Sequence, residues 1–469
     1  MTALFTEAFF GDICEEIRLF IDTRKIERLL EAAPLPEGLC VLHRLGEAGG
    51  EAVSFASVFM DGAPVSEYEY RCKLGQGALE QKRSQKRAAK ISVYRALSRH
   101  FGVSMPWGSL TGVRPTKLLR DSEIRLGCEG ARALFLNEFD VTEEKYDFAK
   151  SIVDVQKPCF PADNDVDVYI GIPFCTTRCA YCSFASNVPG VFKGAEQKYV
   201  DALLNELSHI ERRLAGRRVR SVYIGGGTPT ALSADSLETV LKKAAEIAAG
   251  AREFTVEAGR PDTITEEKLG FISAAGAGRI SVNPQTLKET TLERLGRRHT
   301  AEDFFRAYGM ARSAGFIINV DVIAGLPGET LGDVAATIEG VAALSPENIT
   351  VHTLAVKRAS KFAEQNLGAF PTDSETAQMV SEASRMLKAA GYRPYYMYRQ
   401  KYMKGSLENA GYSKPGYECL YNIDNMEELL SVEAFGAGAI SKLVLNHGER
   451  IEREANTKDL RLYIERNGL

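Results

Sequence analysis

The sequence predicts an α/β protein built on a parallel sheet, with an α+β region on either side of it. Three observations carry this. From about Val166, short apolar runs alternate with helical stretches. Strand candidates lie at 168–174, 220–224, 253–257, 279–282, 317–323 and 349–354, and helices at 196–214, 234–248, 265–274, 301–314 and 331–344. Such alternation builds parallel strands joined by right-handed crossovers. The strand runs are also almost wholly apolar, as expected where helices cover a sheet. Finally, the chemistry-bearing residues fall at the C-terminal ends of these strands, where α/β barrels place their active sites.

The flanking regions read differently. In residues 1–160, two β-prone runs at 38–45 and 52–60 are joined by Gly46-Glu47-Ala48-Gly49-Gly50 and look like a hairpin, and 67–72 adds a candidate strand. Residues 78–101 have a helical pattern with Lys82, Arg83, Lys86, Arg87 and Lys90 on one face, ending before Pro106-Trp107-Gly108. Acidic residues elsewhere balance these charges, which favours a solvated face over a nucleic-acid surface. Residues 158–167, with two prolines and three aspartates, read as a linker. From 371 come a helix at 374–390, an aromatic stretch at 392–402 and a glycine-rich segment at 435–440. The domains expected are therefore 1–160, 161–370 and 371–469.

Bulk composition narrows the function classes. The 469 residues are 45% hydrophobic and 26% charged, with a formal net charge of −4. This fits a globular protein and gives no electrostatic argument for nucleic acid or an anionic membrane. The N-terminus lacks a basic start before an apolar core, and no apolar run reaches the roughly 18 residues of a membrane span. A cytoplasmic protein without a membrane span is expected. Nine cysteines are present, and only three cluster. In a reducing compartment a tight cluster points to metal or catalysis rather than disulfides. The other six read as small buried residues or inert thiols. His209, His352 and His447 have no clustering that argues for metal.

The run at 168–174 leads directly into CTTRCAYC, giving Cys-x3-Cys-x2-Cys at Cys175, Cys179 and Cys182. Thiolates are the ligands that iron–sulfur clusters take. Three of them within eight residues hold one face of a cubane and leave one iron open, as a catalytic centre requires. The alternative is a zinc site with a distant fourth ligand, although no second Cys-x2-Cys knuckle is present.

Polar and glycine-rich groups follow on the later strands. Gly225-Gly226-Gly227-Thr228-Pro229 leaves the second, where glycines allow close approach of a ligand to the backbone; a tight strand–helix turn would give the same string. Glu257 ends the third strand, Gln285 lies just past the fourth, and Arg297 lies in LGRRHT. Asp321 sits within the fifth strand, where a carboxylate is costly without a partner, and Ala355 would end the sixth.

Together YIGIPFCTTRCAYCSF, YIGGGTPTAL, VEAG, SVNPQTL, LGRRHT and DVIAGLPGET resemble the radical S-adenosylmethionine (SAM) superfamily. Within it they resemble the oxygen-independent coproporphyrinogen III dehydrogenase (oxidase) family, HemN with its HemW and HemZ relatives. The likeness is close over 166–357 and looser through NAGYSKPGYECLYN and FGAGAIS, while WGSLTGVRPTKL looks like the HemZ branch. The resemblance implies a partial (β/α)6 barrel with an N-terminal α+β domain of unknown role and a smaller C-terminal α+β domain. It implies a 4Fe–4S cluster on Cys175, Cys179 and Cys182. It implies a first SAM contacted by Tyr169, Gly226 and Glu257. Tyr181, Gly227, Thr228, Gln285, Arg297, Asp321 and Ala355 match positions that contact a second SAM in HemN. The implied reaction converts two propionates of coproporphyrinogen III to the vinyls of protoporphyrinogen IX, served by an electron donor and an acceptor the sequence does not identify.

Departures from the pattern keep rival functions open. The family's His before Ile-Pro-Phe-Cys is Gly171, HemN's further cysteine is Phe184, and the HemW-type His-Asn pair is Tyr421-Asn422. A HemW-like haem chaperone, a HemN-like radical SAM methyltransferase and another tetrapyrrole-modifying enzyme remain the alternatives. Arg393, Arg399, Lys401 and Lys404 are candidate anchors for substrate propionates, with nearby tyrosines to stack on pyrroles; an ordinary half-buried surface would look the same.

Overall fold

The computed structural model describes residues 1–468 apart from 22, 24, 31–33, 113, 183–186, 188–193, 356–368, 401–403 and 449, with backbone only at 404 and 447. The chain divides into two units, Met1–Lys150 and Ser151–Leu469.

Among the described residues of the first unit, five strands form one sheet. They are β1 (Thr2–Thr6), β2 (Glu27–Arg28), β3 (Leu39–Ala48), β4 (Glu51–Met60) and β5 (Ala63–Lys73), in the order β2-β1-β3-β4-β5. The expected hairpin is β3–β4, but its loop shrinks to Gly49-Gly50. Both glycines have positive φ (60° and 80°), the requirement of a two-residue turn whose twist matches the strands. Ala52, Ser54, Ala56 and Val58 alternate inward on β4. Ala56 and Val58 pack with Ala89, Val93, Ala96 and Leu97 of the helix Gly77–Phe101. The basic face of that helix is largely paired. Lys86 meets Asp12 at 2.6 Å, Lys90 meets Glu16 at 3.1 Å, and Arg87 lies over the Phe139 ring at 5.6 Å. The sequence pattern did not reveal β1, whose five residues are held by parallel pairing with β3.

Among the described residues of the second unit, eleven strands form a second sheet. Six are parallel and adjacent in chain order: β6 (Asp165–Ile172), β7 (Arg218–Gly226), β8 (Glu253–Val256), β9 (Arg279–Ser281), β10 (Ile317–Ala324) and β11 (Asn348–Thr353). Helices Ala195–Leu207, Ala234–Ile247, Glu266–Ala274, Ala301–Ser313 and Leu331–Ala343 fall between them. Sequential parallel strands with intervening helices make the (β/α) pattern of a barrel wall, the expected α/β class.

Local chemistry sets the helix ends. Thr300 with Asp303, and Thr330 with Asp333, form reciprocal capping boxes. The single helix expected over 196–214 is two, Ala195–Leu207 and Ile210–Leu214, because the Ser208 hydroxyl bonds the Asn205 carbonyl at 2.6 Å and competes with helix continuation.

Residues beyond 371 extend both edges of this sheet. β12 (Arg393–Tyr398) and β13 (Asn409–Ser413) add next to β11, with β13 antiparallel to both. At the other edge β14 (Val432–Phe435) runs parallel to β6, followed by antiparallel β15 (Ile440–Leu445) and β16 (Arg450–Ala455).

The reading of 158–167 as a linker is corrected at its C-terminal end, where Asp165 and Asp167 open β6 and are buried. Asp167 accepts from the Ser221 hydroxyl at 2.6 Å, and Asp165 pairs with Arg218 at 2.6 Å. Polar letters that looked like loop are partners of groups on β7, the buried Ser221 and the exposed Arg218. The N-terminal strand ends are closed by the helix Leu420–Glu427, whose first amides donate to Glu253, while Arg220 pairs with Asp424 at 2.6 Å.

Candidate active site at the strand ends

The cysteine loop leaves β6 and is pinned by three neighbours. The amide of Cys175 donates to the Asn187 carbonyl at 3.0 Å, and Cys182 closes a turn onto the Cys179 carbonyl at 3.1 Å. Ala180 N donates to Leu295 O at 3.0 Å, and the Thr177 hydroxyl to Gly296 O at 3.1 Å, so the loop lies on the LGRRHT segment. Cys175 Sγ is 3.4 Å from Thr228 Oγ1, and Cys179 Sγ is 3.6 Å from Arg260 Nη1. None of the nine cysteines is in a disulfide.

The three-glycine turn follows β7 and lies against this loop. Its amides are spent on the protein: Gly226 N donates to Glu257 Oε2 at 3.2 Å, Gly227 N to Ile172 O at 2.7 Å, and Thr228 N to Phe174 O at 2.7 Å. The turn therefore does not offer these amides to a ligand, as the glycine spelling suggested. Recognition there falls to acceptors, chiefly Glu257. The glycines are needed for space. A Cβ on Gly227 would lie 2.4 Å from Phe174 O, and one on Gly225 would lie 2.7 Å from both Glu257 Oε2 and the Tyr223 ring.

Glu257 sits just past β8. Burial and the Asp321 carboxylate push its acid up to about 8, against the Gly226 amide that favours the charged form. Beside it Tyr169 and Tyr223 stack at 6.3 Å, and Tyr421 lies on Tyr223 at 4.5 Å with planes 20° apart. Burial raises all three phenols, and the Glu257 charge adds to it. The position of the HemW-type histidine is thus filled by a buried tyrosine in an aromatic stack.

On the far side, Asp321 accepts from Asn283 Nδ2 at 2.9 Å, and its own amide donates back to Asn283 Oδ1 at 3.0 Å. His352 Nε2 is 3.7 Å from Asp321 Oδ2, and Tyr398 OH is 3.4 Å from His352 Nδ1. Gln285 holds a left-handed backbone (φ 68°), pairing with β10 through Asp321 O and its own carbonyl to Ile323 N. A non-glycine residue in that conformation is strained, a feature that gathers at functional sites. Arg297 is buried with four of its five N–H groups committed, to Tyr181 OH (2.9 Å), Gly259 O (3.0 Å), Asn283 O (2.8 Å) and His299 Nδ1 (3.4 Å). Tyr181 packs on Ala180, Leu295, Ile323, Leu326 and Leu354, and Ala355 comes directly after that last leucine.

The residues singled out from sequence therefore lie along consecutive strand ends from β6 to β11. Of the cationic anchors, Arg393 and Arg399 do not offer their guanidinium groups to this site. Arg399 donates to the carbonyls of Leu407 and Ser406, and Arg393 sits at the start of β12, paired in register with Ser413 at the opposite end of the sheet. Phe184, Lys401 and the side chains of Lys404 and His447 lie outside the described residues. Sequence reading missed Arg260, Asp262 and Asn283, and weighed His352 only as a metal ligand. Asn283 lies inside SVNPQTL and Arg260 directly follows VEAG, and that position was the available signal.

Residues 169–341 match the Radical SAM superfamily model. The oxygen-independent coproporphyrinogen-III oxidase-like protein HemZ of Bacillus subtilis is 39% identical over 382 residues, covering 79% of this chain and 76% of that protein. The chain belongs to this radical SAM family. The heme chaperone HemW of Escherichia coli is 31% identical over 306 residues, 64% of this chain and 76% of its own length. The solved structure of the Escherichia coli coproporphyrinogen III oxidase HemN, a radical SAM enzyme, overlays with a TM-score of 0.52 at 25% identity, over 70% of this chain and 73% of that one.

Radical SAM proteins carry a 4Fe–4S cluster and SAM. The donor set here fits that pair. Three thiols outside any disulfide lie on one loop, with hydroxyl and guanidinium groups next to two of the sulfurs. Among the described residues no three thiol, imidazole or carboxylate groups converge on one metal ion. A cubane gives each thiolate its own iron and needs no such convergence. No helix among the described residues is long and apolar enough to cross a membrane.

Proposed function

We propose that this radical SAM family member is an oxidoreductase that oxidatively decarboxylates coproporphyrinogen III to protoporphyrinogen IX. The observation that carries the reading is the line of groups from the cysteine loop through Glu257 to Asp321, in the chain order of β6 to β10. When bound, the cluster and SAM would supply the one-electron chemistry that removes a hydrogen atom from carbon.

The protein's part is binding and placement. Cys175, Cys179 and Cys182 hold the cluster. Glu257 would accept from the SAM ammonium or ribose, with Tyr169 and Gly226 alongside. Tyr181, Gly227, Thr228, Gln285, Asp321 and Ala355 line a place for a second SAM. Arg297 fixes Tyr181 and the Gly259–Asn283 carbonyls around it. The hydrogen leaves from the carbon β to a propionate carboxylate, and loss of carbon dioxide and one electron to an external acceptor completes each vinyl. Gly171, where the family carries a histidine, supplies no acid or base. This route needs none there, because an ionised propionate leaves as carbon dioxide without gaining a proton.

The test is anaerobic reconstitution with iron, sulfide, SAM and dithionite, then addition of coproporphyrinogen III. Protoporphyrinogen with 5′-deoxyadenosine supports the proposal. Stoichiometric haem binding without turnover replaces it by a chaperone, as for the HemW relatives, and a methylated or linearised tetrapyrrole replaces it by another transformation.

A further inference from the structure

Arg260 lies three residues past Glu257 and is only 3% exposed. Its guanidinium is held on two sides. Nε and Nη2 each donate to Asp262 at 3.0 Å, while Nη1 donates to Thr177 Oγ1 at 2.9 Å and stands 3.6 Å from Cys179 Sγ. Asp262 also accepts from the Thr176 hydroxyl at 3.1 Å. The fork is thus locked to the cysteine loop by a bidentate carboxylate behind and a thiol in front. An exposed arginine would swing, and this one has no room to.

We propose that Arg260 tunes the iron–sulfur centre by donating to the Cys179 sulfur, making the cluster easier to reduce. The proposal rests on the reading that Cys175, Cys179 and Cys182 carry a cluster. Reduction takes one electron from a low-potential one-electron donor, with no proton and no bond broken, and leaves the cluster more negative by one charge. An N–H donor on a ligand sulfur and a nearby positive charge both favour the more negative state, so both raise the potential. Asp262 offsets part of the charge but lies on the opposite edge of the guanidinium, so Nη1 still points its positive end at sulfur. Arg260 is a positioning and tuning residue: it meets a ligand atom of the cluster, not the substrate.

The experiment is a mediated redox titration of the reconstituted full chain, followed by electron paramagnetic resonance, for the parent, Arg260→Lys, Arg260→Gln and Asp262→Asn. With iron and sulfide contents equal to the parent's, Arg260→Gln is expected to shift the midpoint potential to more negative values. Arg260→Lys should shift it the same way by less. Equal cluster content with an unshifted potential in both Arg260 variants overturns the proposal. If Arg260→Gln does not load, the lysine variant decides alone. If neither Arg260 variant loads while Asp262→Asn loads fully at the parent potential, Arg260 only supports the loop and the proposal fails. A parent that assembles no cluster refutes the cluster assignment instead, which keeps the two failures apart.

Discussion

The carboxylate of Glu257 accepts the amide of Gly226 at 3.2 Å, joining the end of β8 to the glycine turn after β7. That contact explains the turn's spelling. Side chains at Gly225 and Gly227 would run into Glu257, the Tyr223 ring and the backbone of Phe174. It also sets the site's polarity, because the turn's amides are consumed and the acceptor that remains is an acid held at high pKa.

Glu257→Gln should therefore weaken SAM binding. A hydrogen bond to a charged group contributes about 1.5–3 kcal/mol, which corresponds to roughly 10- to 100-fold in Kd. Equilibrium dialysis under anaerobic conditions measures this. Burial pushes the unliganded acid up to about 8, and an α-ammonium loses its proton in the same range, so parent affinity should pass through a maximum near pH 8, while the variant's should only fall as pH rises from 7 to 9. For stability the sign is opposite to that of the rising limb. The folded acid holds its proton above the ordinary carboxyl range, so its contribution is full below about pH 4.3 and is lost as pH rises through about 8. Glu257→Gln should accordingly gain stability over the parent most clearly above pH 8.

Gly227→Ala should destabilise the protein by about 1–3 kcal/mol, the usual cost of forcing atoms into a filled space. Its Cβ meets only backbone there, at 2.4 Å from Phe174 O and 3.0 Å from Ile172 O. Gly270→Ala is the control, since nothing lies within 4 Å of its Cβ and it sits in the exposed face of the helix Glu266–Ala274. That change should be neutral or stabilising by about 0.5–1 kcal/mol. Denaturant midpoints separate the two.

Asp424→Ala should cost about 3–5 kcal/mol, the range for removing one partner of a buried ion pair. Arg220 is about 1% exposed along its side chain and meets Asp424 at 2.6 Å. Without that carboxylate the buried guanidinium keeps only Asp165, 3.9 Å away, and the Cys159 carbonyl as partners. A lowered thermal midpoint with cluster content intact is the expected result, and an unchanged midpoint refutes the account.

Cys179→Ala should abolish the cluster and SAM cleavage together. Iron and sulfide analysis after reconstitution checks it, and a full complement in the variant refutes the ligand assignment.

Most of the radical SAM half was legible from residue order. Apolar strand runs and helical stretches alternated clearly, because parallel strands buried on both faces are written almost wholly in apolar letters. The six expected strands are six parallel neighbours in the same order, each within a few residues of its expected bounds. The N-terminal unit was less legible. β1 is five residues long and is defined by pairing with β3, information a local pattern does not carry.

By itself the sequence determined the cysteine spacing, the glycine turn and the polar residues at successive strand ends, all set by local order along the chain. Only the tertiary structure decided what those groups touch. It turned Asp165 and Asp167 from linker into buried β6, since their partners Arg218 and Ser221 lie more than fifty residues away. It showed that the turn's amides are already bonded, that Arg399 is spent on carbonyls, and that Arg260 faces Cys179. The physical reason is common to all of these. A donor's availability depends on the acceptor that reaches it first, and that acceptor comes from another strand.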